Sequence, residues 1–266
     1  MIQELIRSSK KIVIKIGSNT LAKDDGTICR EFLENLGEDI HQLMSEGKQV
    51  VIVSSGARIA GVSTIGKWMR KEDINYKQAL CAIGQVELMD AYRRVFEKYG
   101  THIGQILYTR EDFLEGSRSL NIRNTLFTLA DEGVIPIINE NDSVCVDEIK
   151  IGDNDTLAAY TANIWNADLL IMLSDIDGIY SKNPKDCEDA KLVEIVENID
   201  ALLQNIEIGR GSDFGTGGIE TKIEAASIVG AYKIPMILGN GKVPHIIEKL
   251  KTGKAKGTLF NLGGKY

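Results

Sequence analysis

The chain has 266 residues, 43% of them hydrophobic, which is enough apolar mass for one large α/β domain or two intimate lobes. Its net charge of −7, 6% aromatic content and lack of a basic run argue against a nucleic-acid-binding face. No apolar run approaches the ~20 residues of a membrane helix, and residues 1–11 lack the apolar segment of a signal peptide, so a cytoplasmic protein is expected.

In chain order, short β-branched runs alternate with helical periodicity. "KIVIKIG" and "QVVIVSSG" read as strands, with a helix between them in "REFLENLGEDIHQLMSEG" that stops at Gly47. A second helix, "YKQALCAIGQVELMDAYRRVFEKYG", stops at Gly100 before the strand "HIGQILY". "RNTLFTLADEG", "DTLAAYTANIWNA" and "ETKIEAASIVGAY" read as further helices. "VIPIINE", "DLLIMLSD" and "IPMILGNG" read as buried strands. The alternation predicts an α/β fold with a mainly parallel sheet and helices on both faces. A lobe boundary is expected near 165–168, although no composition shift marks it. Four cysteines (Cys29, Cys81, Cys145, Cys187) lack paired or metal-type spacing and read as reduced thiols. The three histidines are isolated and carry no site.

Several strands end in glycines and small polar residues: Gly17-Ser18-Asn19, Ser54-Ser55-Gly56, Asn139 to Asp142, Ser174-Asp175 and Gly239-Asn240-Gly241. In open α/β sheets such ends form one shared ligand rim. Lys15 interrupts an apolar strand two residues before Gly17. By itself it reads as an edge lysine; beside a glycine that admits backbone N–H groups to a phosphate, it reads as an anion partner. No Walker A motif is present. Gly215, Gly217 and Gly218 precede a helix carrying Lys222, and a helix N-terminus favours anions. Lys222 in the first turn opposes the helix dipole, a conflict that a bound anion removes.

Residues 138–159 crowd Glu140, Asp142, Asp147, Glu148, Asp153 and Asp155 together. Beside two lysines at glycine-rich ends, such carboxylates can orient the lysines, hold an acceptor's amine or bind Mg²⁺ on a phosphate. Asp147 and Glu148 read as a solvated turn. Phosphoryl transfer requires positioning and positive charge more than covalent chemistry, and this set meets that requirement.

The segments "VIKIGSNTL", "VVIVSSGARIAG", "KQALCAIGQVELMDAY", "PIINEND", "GDND", "LLIMLSDIDGIYSKNP", "GTGGIETK" and "GTLF" occur in order along nearly the whole chain. By them the chain resembles the amino-acid kinase family, in particular its glutamate-phosphorylating branch. The resemblance implies a three-layer αβα sandwich around a mainly parallel, eight-stranded sheet. It implies one kinase domain over 1–266, with an amino-acid-binding lobe over about 1–165 and an ATP-binding lobe over about 166–266. It implies transfer of the ATP γ-phosphoryl group to the side-chain carboxylate of L-glutamate, the first step of proline biosynthesis, with feedback inhibition by proline. It casts Lys15 and Lys222 as stabilisers of the moving phosphoryl group and Asp155 as their organiser. Ser55, Asn139, Asp142 and Asn154 would bind glutamate. Lys15, Gly17, Ser174, Asp175, Thr216, Gly217, Gly218, Ile219, Glu220, Thr221 and Lys222 would hold ATP, with Mg²⁺ carried on its phosphates and no metal site in the protein. A cytoplasmic homo-oligomer, dimer or tetramer, is implied. Many members continue after "GTLF" into a PUA domain, and this chain is expected to lack one. Acetylglutamate is the rival acceptor, and a non-catalytic nucleotide sensor is the rival class. The free amine of glutamate calls for a carboxylate such as Asp142, and both lysines and Asp155 argue against a sensor.

Overall fold

The computed structural model describes residues 1–23, 27–66, 70, 72–145, 154–182, 184, 186, 187, 189–206 and 218–264. In chain order the elements are α1 (Ile2–Ser8), β1 (Lys11–Ile16), α2 (Ser18–Leu21), α3 (Arg30–Ser45), β2 (Gln49–Ser54), α4 (Ala57–Ile65), α5 (Ile74–Glu97), β3 (Ile103–Tyr108), α6 (Arg110–Leu114), α7 (Gly116–Asp131) and β4 (Ile135–Glu140). They continue with α8 (Asn154–Trp165), β5 (Leu169–Ser174), β6 (Ile195–Val196), α9 (Ile199–Asn205), α10 (Ile219–Ala231), β7 (Met236–Asn240), α11 (Ile246–Thr252) and β8 (Thr258–Phe260).

Among the described residues these strands form one eight-stranded sheet in the order β3-β4-β2-β1-β5-β7-β8-β6. β3, β4, β2, β1, β5 and β7 run parallel; β8 returns antiparallel to β7 and pairs in parallel with β6. Helices cover both faces, so the fold is the predicted αβα sandwich. The turn from α8 to β5 passes through Asn166 at φ 52, where the lobe boundary is expected, and the sheet continues unbroken from β1 to β5.

Strand alternation divides the apolar residues between two cores. Ile12, Ile14 and Ile16 join Ile52, Ile137, Ile171 and Ile237 under α1, α3, α5 and α11. Val13 joins Val51, Val53, Ile138, Leu170 and Met172 under α7, α8 and α10. That is why β1, β2, β4 and β5 read as unbroken apolar runs: each side of each strand is covered. β3 is the exception. It lies at the sheet edge and is only partly buried, with Leu107 exposed. β6, β8, α4 and several short helices carry too little periodicity to be read from sequence.

Candidate active site

Parallel strands β1, β2, β4, β5 and β7 all deliver their carboxyl ends to one rim, and the polar residues gather there. Two of them open α8. Asn154 and Asp155 are its first residues, both buried, and an acid in a first turn is favoured by the helix dipole.

Asp155 is fully buried and carries three partners. Lys15, on the β1 face shared with Val13, forms an ion pair with Oδ1. Lys222, from α10, lies 3.3 Å from Oδ2, and the Thr221 hydroxyl donates to the same oxygen at 2.7 Å. Burial alone would raise the Asp155 carboxyl; the charges of Lys15 and Lys222, with hydrogen bonds from Lys15 and Thr221, outweigh it and hold the group well below the usual carboxylate range. The cluster is two buried cations on one buried anion, with net positive charge facing the rim. A buried charge persists only when paired, so Asp155 is what permits two ammonium groups to stand together in a dry site. It also relieves the dipole conflict at Lys222, which reaches Asp155 and the Gly218 carbonyl (3.4 Å).

On the other side of the rim, the Asn154 amide donates to Ser55 Oγ (2.9 Å) and Asn139 Oδ1 (2.8 Å). The Asn139 amide donates to Gln85 Oε1 (2.9 Å) on α5. Gln78, two turns earlier on that helix, donates to the Asp142 carbonyl at 2.8 Å. Buried donors and acceptors in this network remain open: Asn154 Oδ1, Gln85 Nε2 and Asp142 Oδ1 have no hydrogen-bond partner among the described residues. Leaving such groups unpaired costs about 1–3 kcal/mol each, a cost that a polar ligand would remove. Burial pushes the Asp142 carboxyl up to about 6, against opposing effects of a hydrogen bond with Cys81 and the charge of Arg58.

α4 and α5 cross almost in backbone contact. A Cβ at Gly61 would stand 1.9 Å from the Leu80 carbonyl oxygen, and one at Gly84 would stand 1.8 Å from that of Ala57. These glycines let α5 approach closely enough for Gln78 and Gln85 to reach the end of β4. Ser55 enters α4 through Gly56 at φ 102, a conformation that favours glycine.

On the β5 side, Ser174 Oγ donates to Asp175 Oδ1 (3.2 Å) and Asn19 donates to Asp175 Oδ2 (3.0 Å). Burial opposes ionisation of Asp175, but the bonds from Asn19 and Ser174 and the charge of Lys222 lower it. The Gly17 N–H is bonded to the Leu173 carbonyl (3.1 Å), which ties the β1 turn to β5. Cavities of about 610 and 630 Å³ lie beside α3; neither is lined by Lys15, Asp155 or Lys222.

Thus Lys15, Lys222 and Asp155 meet as expected of a single unit, and Ser55, Asn139 and Asn154 form one network. The Thr221 hydroxyl, expected at ATP, is engaged by Asp155. Thr216 and Gly217, expected at ATP, lie outside the described residues, as do Asp147, Glu148, Gly152, Asp153 and Gly215. Sequence reading missed Gln78 and Gln85 as site residues and took Asn19 only as part of the strand-end rim. Two glutamines seven positions apart, hence on one helix face, were the available signal for α5.

The sequence pattern of the Amino acid kinase family matches residues 10–240, which includes every element of this rim. The chain belongs to the amino acid kinase family. Within this family, it is 70% identical over 263 residues to a protein named Glutamate 5-kinase from Alkaliphilus metalliredigens (strain QYMF), covering 99% of this chain and 100% of that one. A protein of the same name from Alkaliphilus oremlandii (strain OhILAs) is 67% identical over 260 residues, covering 98% and 99%. Among solved structures, UMP kinase from Ureaplasma parvum superposes with a TM-score of 0.66 at 20% identity, covering 95% of this chain and 98% of that one. At that identity the likeness concerns the amino-acid kinase fold alone.

Proposed function

We propose that this chain transfers the γ-phosphoryl group of ATP to the side-chain carboxylate of L-glutamate, giving L-glutamyl 5-phosphate, the activity of a glutamate 5-kinase. The kinase family and near-full-length identity to relatives of that name support the reading. The single observation that carries the chemistry is Asp155 holding Lys15 and Lys222 side by side. Both substrate groups are anionic, and two preorganised ammonium groups draw the acceptor carboxylate and the phosphoryl group together and stabilise charge as it moves.

Lys15, Gly17, Ser174, Asp175 and residues 216–222 are assigned to ATP; Ser55, Asn139, Asp142 and Asn154 are assigned to glutamate. Asp142 supplies the carboxylate that the free α-ammonium needs, and its buried Oδ1, without a partner among the described residues, supports glutamate over an N-acetylated acceptor. Mg²⁺ would neutralise charge on the ATP phosphates. Asp155 is already shared by Lys15, Lys222 and Thr221, so the proposal gives the ion no ligand there. The acceptor lobe is assigned to about 1–165 and the nucleotide lobe to about 166–266, in a cytoplasmic homo-oligomer.

An ADP-release assay with L-glutamate, N-acetylglutamate and L-aspartate tests the reading. Turnover with glutamate and little with the others is expected; preference for N-acetylglutamate would overturn the acceptor assignment.

A further inference from the structure

Resting on the glutamate reading above, we propose that Gln85 is a specificity-determining residue of the acceptor site, its side-chain amide donating to the α-carboxylate of the bound amino acid. The orientation of that amide follows from a chain of hydrogen bonds. The main-chain N–H of Glu140 can only donate, and it meets Asn139 Oδ1 at 2.9 Å. Asn139 therefore turns its Nδ2 the other way, to Gln85 Oε1 at 2.9 Å. Gln85 must present its oxygen there, which leaves the Nε2 edge of the amide, a donor only, for another partner. Gln85 is 8% exposed, and Nε2 is buried with no hydrogen-bond partner among the described residues.

A glutamine that only braced Asn139 would carry an unpaired buried donor, a cost that a side chain without one avoids. An open N–H group instead suits an oxygen of a ligand. The same network ends on its other side in an open acceptor, Asn154 Oδ1, and Asp142 Oδ1 is open as well. An amino acid carries the complement of this set: an ammonium group for the acceptors and a carboxylate for the donor. Position selects the α-carboxylate. Asn139, which Gln85 holds, lies on β4, two strands from Lys15 on β1, or roughly 10 Å across the sheet. The lysine pair takes the carboxylate that is phosphorylated, and the amide takes the other. Glutamate has two carboxylates, so a further cation at this end would invite reversed binding. A neutral amide is the weaker partner, and the two carboxylates are sorted by that difference.

Gln85→Glu and Gln85→Met in the full chain separate the donor from the brace. Gln85→Glu keeps an oxygen for Asn139 and removes the donor; Gln85→Met keeps the length and removes the amide. At pH 8, Gln85→Met should raise the glutamate KM roughly ten- to a hundred-fold, with kcat and the ATP KM changing much less. Gln85→Glu should raise it further, since two carboxylates then face each other. A residue that only braces Asn139 gives the reverse order, with Gln85→Glu nearer wild type, and that order overturns the proposal. Inhibition against glutamate gives a second reading that does not depend on the folding of Gln85→Glu. Glutarate keeps both carboxylates and lacks the amine; γ-aminobutyrate keeps the amine and lacks the α-carboxylate. Gln85→Met should weaken glutarate about as much as glutamate and leave γ-aminobutyrate nearly unchanged, whereas equal losses for both overturn the proposal. Wild type inactive on L-glutamate overturns the functional reading; wild type active with Gln85→Met unchanged overturns this proposal alone.

Discussion

Asn154 and Asp155 are chain neighbours at the start of α8, yet their side chains serve different networks: Asn154 bonds Ser55 and Asn139, and Asp155 bonds the two lysines and Thr221. One peptide unit thus fixes the distance between the proposed acceptor contacts and the proposed phosphoryl contacts. A shift of α8 moves both together, which keeps reacting groups aligned while the rest of the rim adjusts.

Lys15→Ala and Lys222→Ala should each lower kcat by roughly 10²–10³, the loss of one preorganised charge in the transition state, with a much smaller effect on glutamate KM. Arginine should restore little, since a planar fork does not replace a point charge. Steady-state kinetics with both substrates varied measures this; near-normal kcat in both alanine variants removes the lysines from the chemistry.

Asp155→Asn should lower kcat and destabilise the fold by about 3–5 kcal/mol, because it strands two buried ammonium groups. The carboxyl lies below its unfolded value, so its stabilisation is present at neutral pH and is lost as pH falls below about 4. The stability gap to wild type should therefore be flat from pH 5 to 8 and close only in strong acid. Asp155→Asn combined with Lys222→Ala should cost much less in kcat than the product of the single losses, because the residues act as a unit. Multiplicative losses would assign Asp155 an independent role.

Asp142 should set a pH limit on acceptor binding. Its carboxyl is pushed up to about 6 without ligand, and an ammonium group needs the ionised form. Glutamate KM should rise roughly ten-fold per unit as pH falls below 6, while the ATP KM stays level. The stability sign is opposite to that of Asp155: a raised carboxyl contributes most below about 4 and loses its contribution as pH rises through 6. Ligand-free Asp142→Asn should then gain on wild type in thermal melts above pH 6. A glutamate KM level from pH 5 to 8 would rule this role out.

Gly84→Ala should cost about 1–3 kcal/mol by forcing α4 and α5 apart, since the new methyl meets main-chain atoms of Ala57 and Gly61 that cannot swing aside. Gln78 and Gln85 ride on α5, so glutamate KM should rise more than ATP KM. A normal melting temperature would mean that the α4–α5 crossing is looser than the Gly84 contacts require.

Proline shares the α-carboxylate and ammonium of glutamate but has no side-chain carboxylate to phosphorylate. Proline should therefore inhibit competitively with glutamate, and Asp142→Ala should weaken both by roughly ten- to a hundred-fold, the loss of a charge-assisted contact. Competition with ATP instead would move Asp142 to the nucleotide side.

The central strands, Lys15 and Lys222 were legible because their signals are local: a lysine in an apolar strand and a glycine run before a helix; Asp155 stood out from the acids around it only through the family resemblance. Gln78 and Gln85 were not, because α5 earns its place through apolar burial and its polar face acquires meaning only when β4 ends beside it. β8 was missed for a related reason: three residues carry no usable periodicity, and their antiparallel pairing with β7 depends on chain distant in sequence.

The division of β1 between two cores has a consequence for how the chain can vary. Lys15 faces Asp155 only because it has the same parity as Val13, while Ile14 and Ile16 face the opposite core. Parallel pairing with β2 and β5 on either side locks that parity. Substituting one branched aliphatic residue for another in β1 costs packing alone. Deleting or inserting a single residue ahead of Lys15 would turn the ammonium group into an apolar core and an isoleucine into the site. The strand behaves as a counting device, tolerant of spelling but not of length.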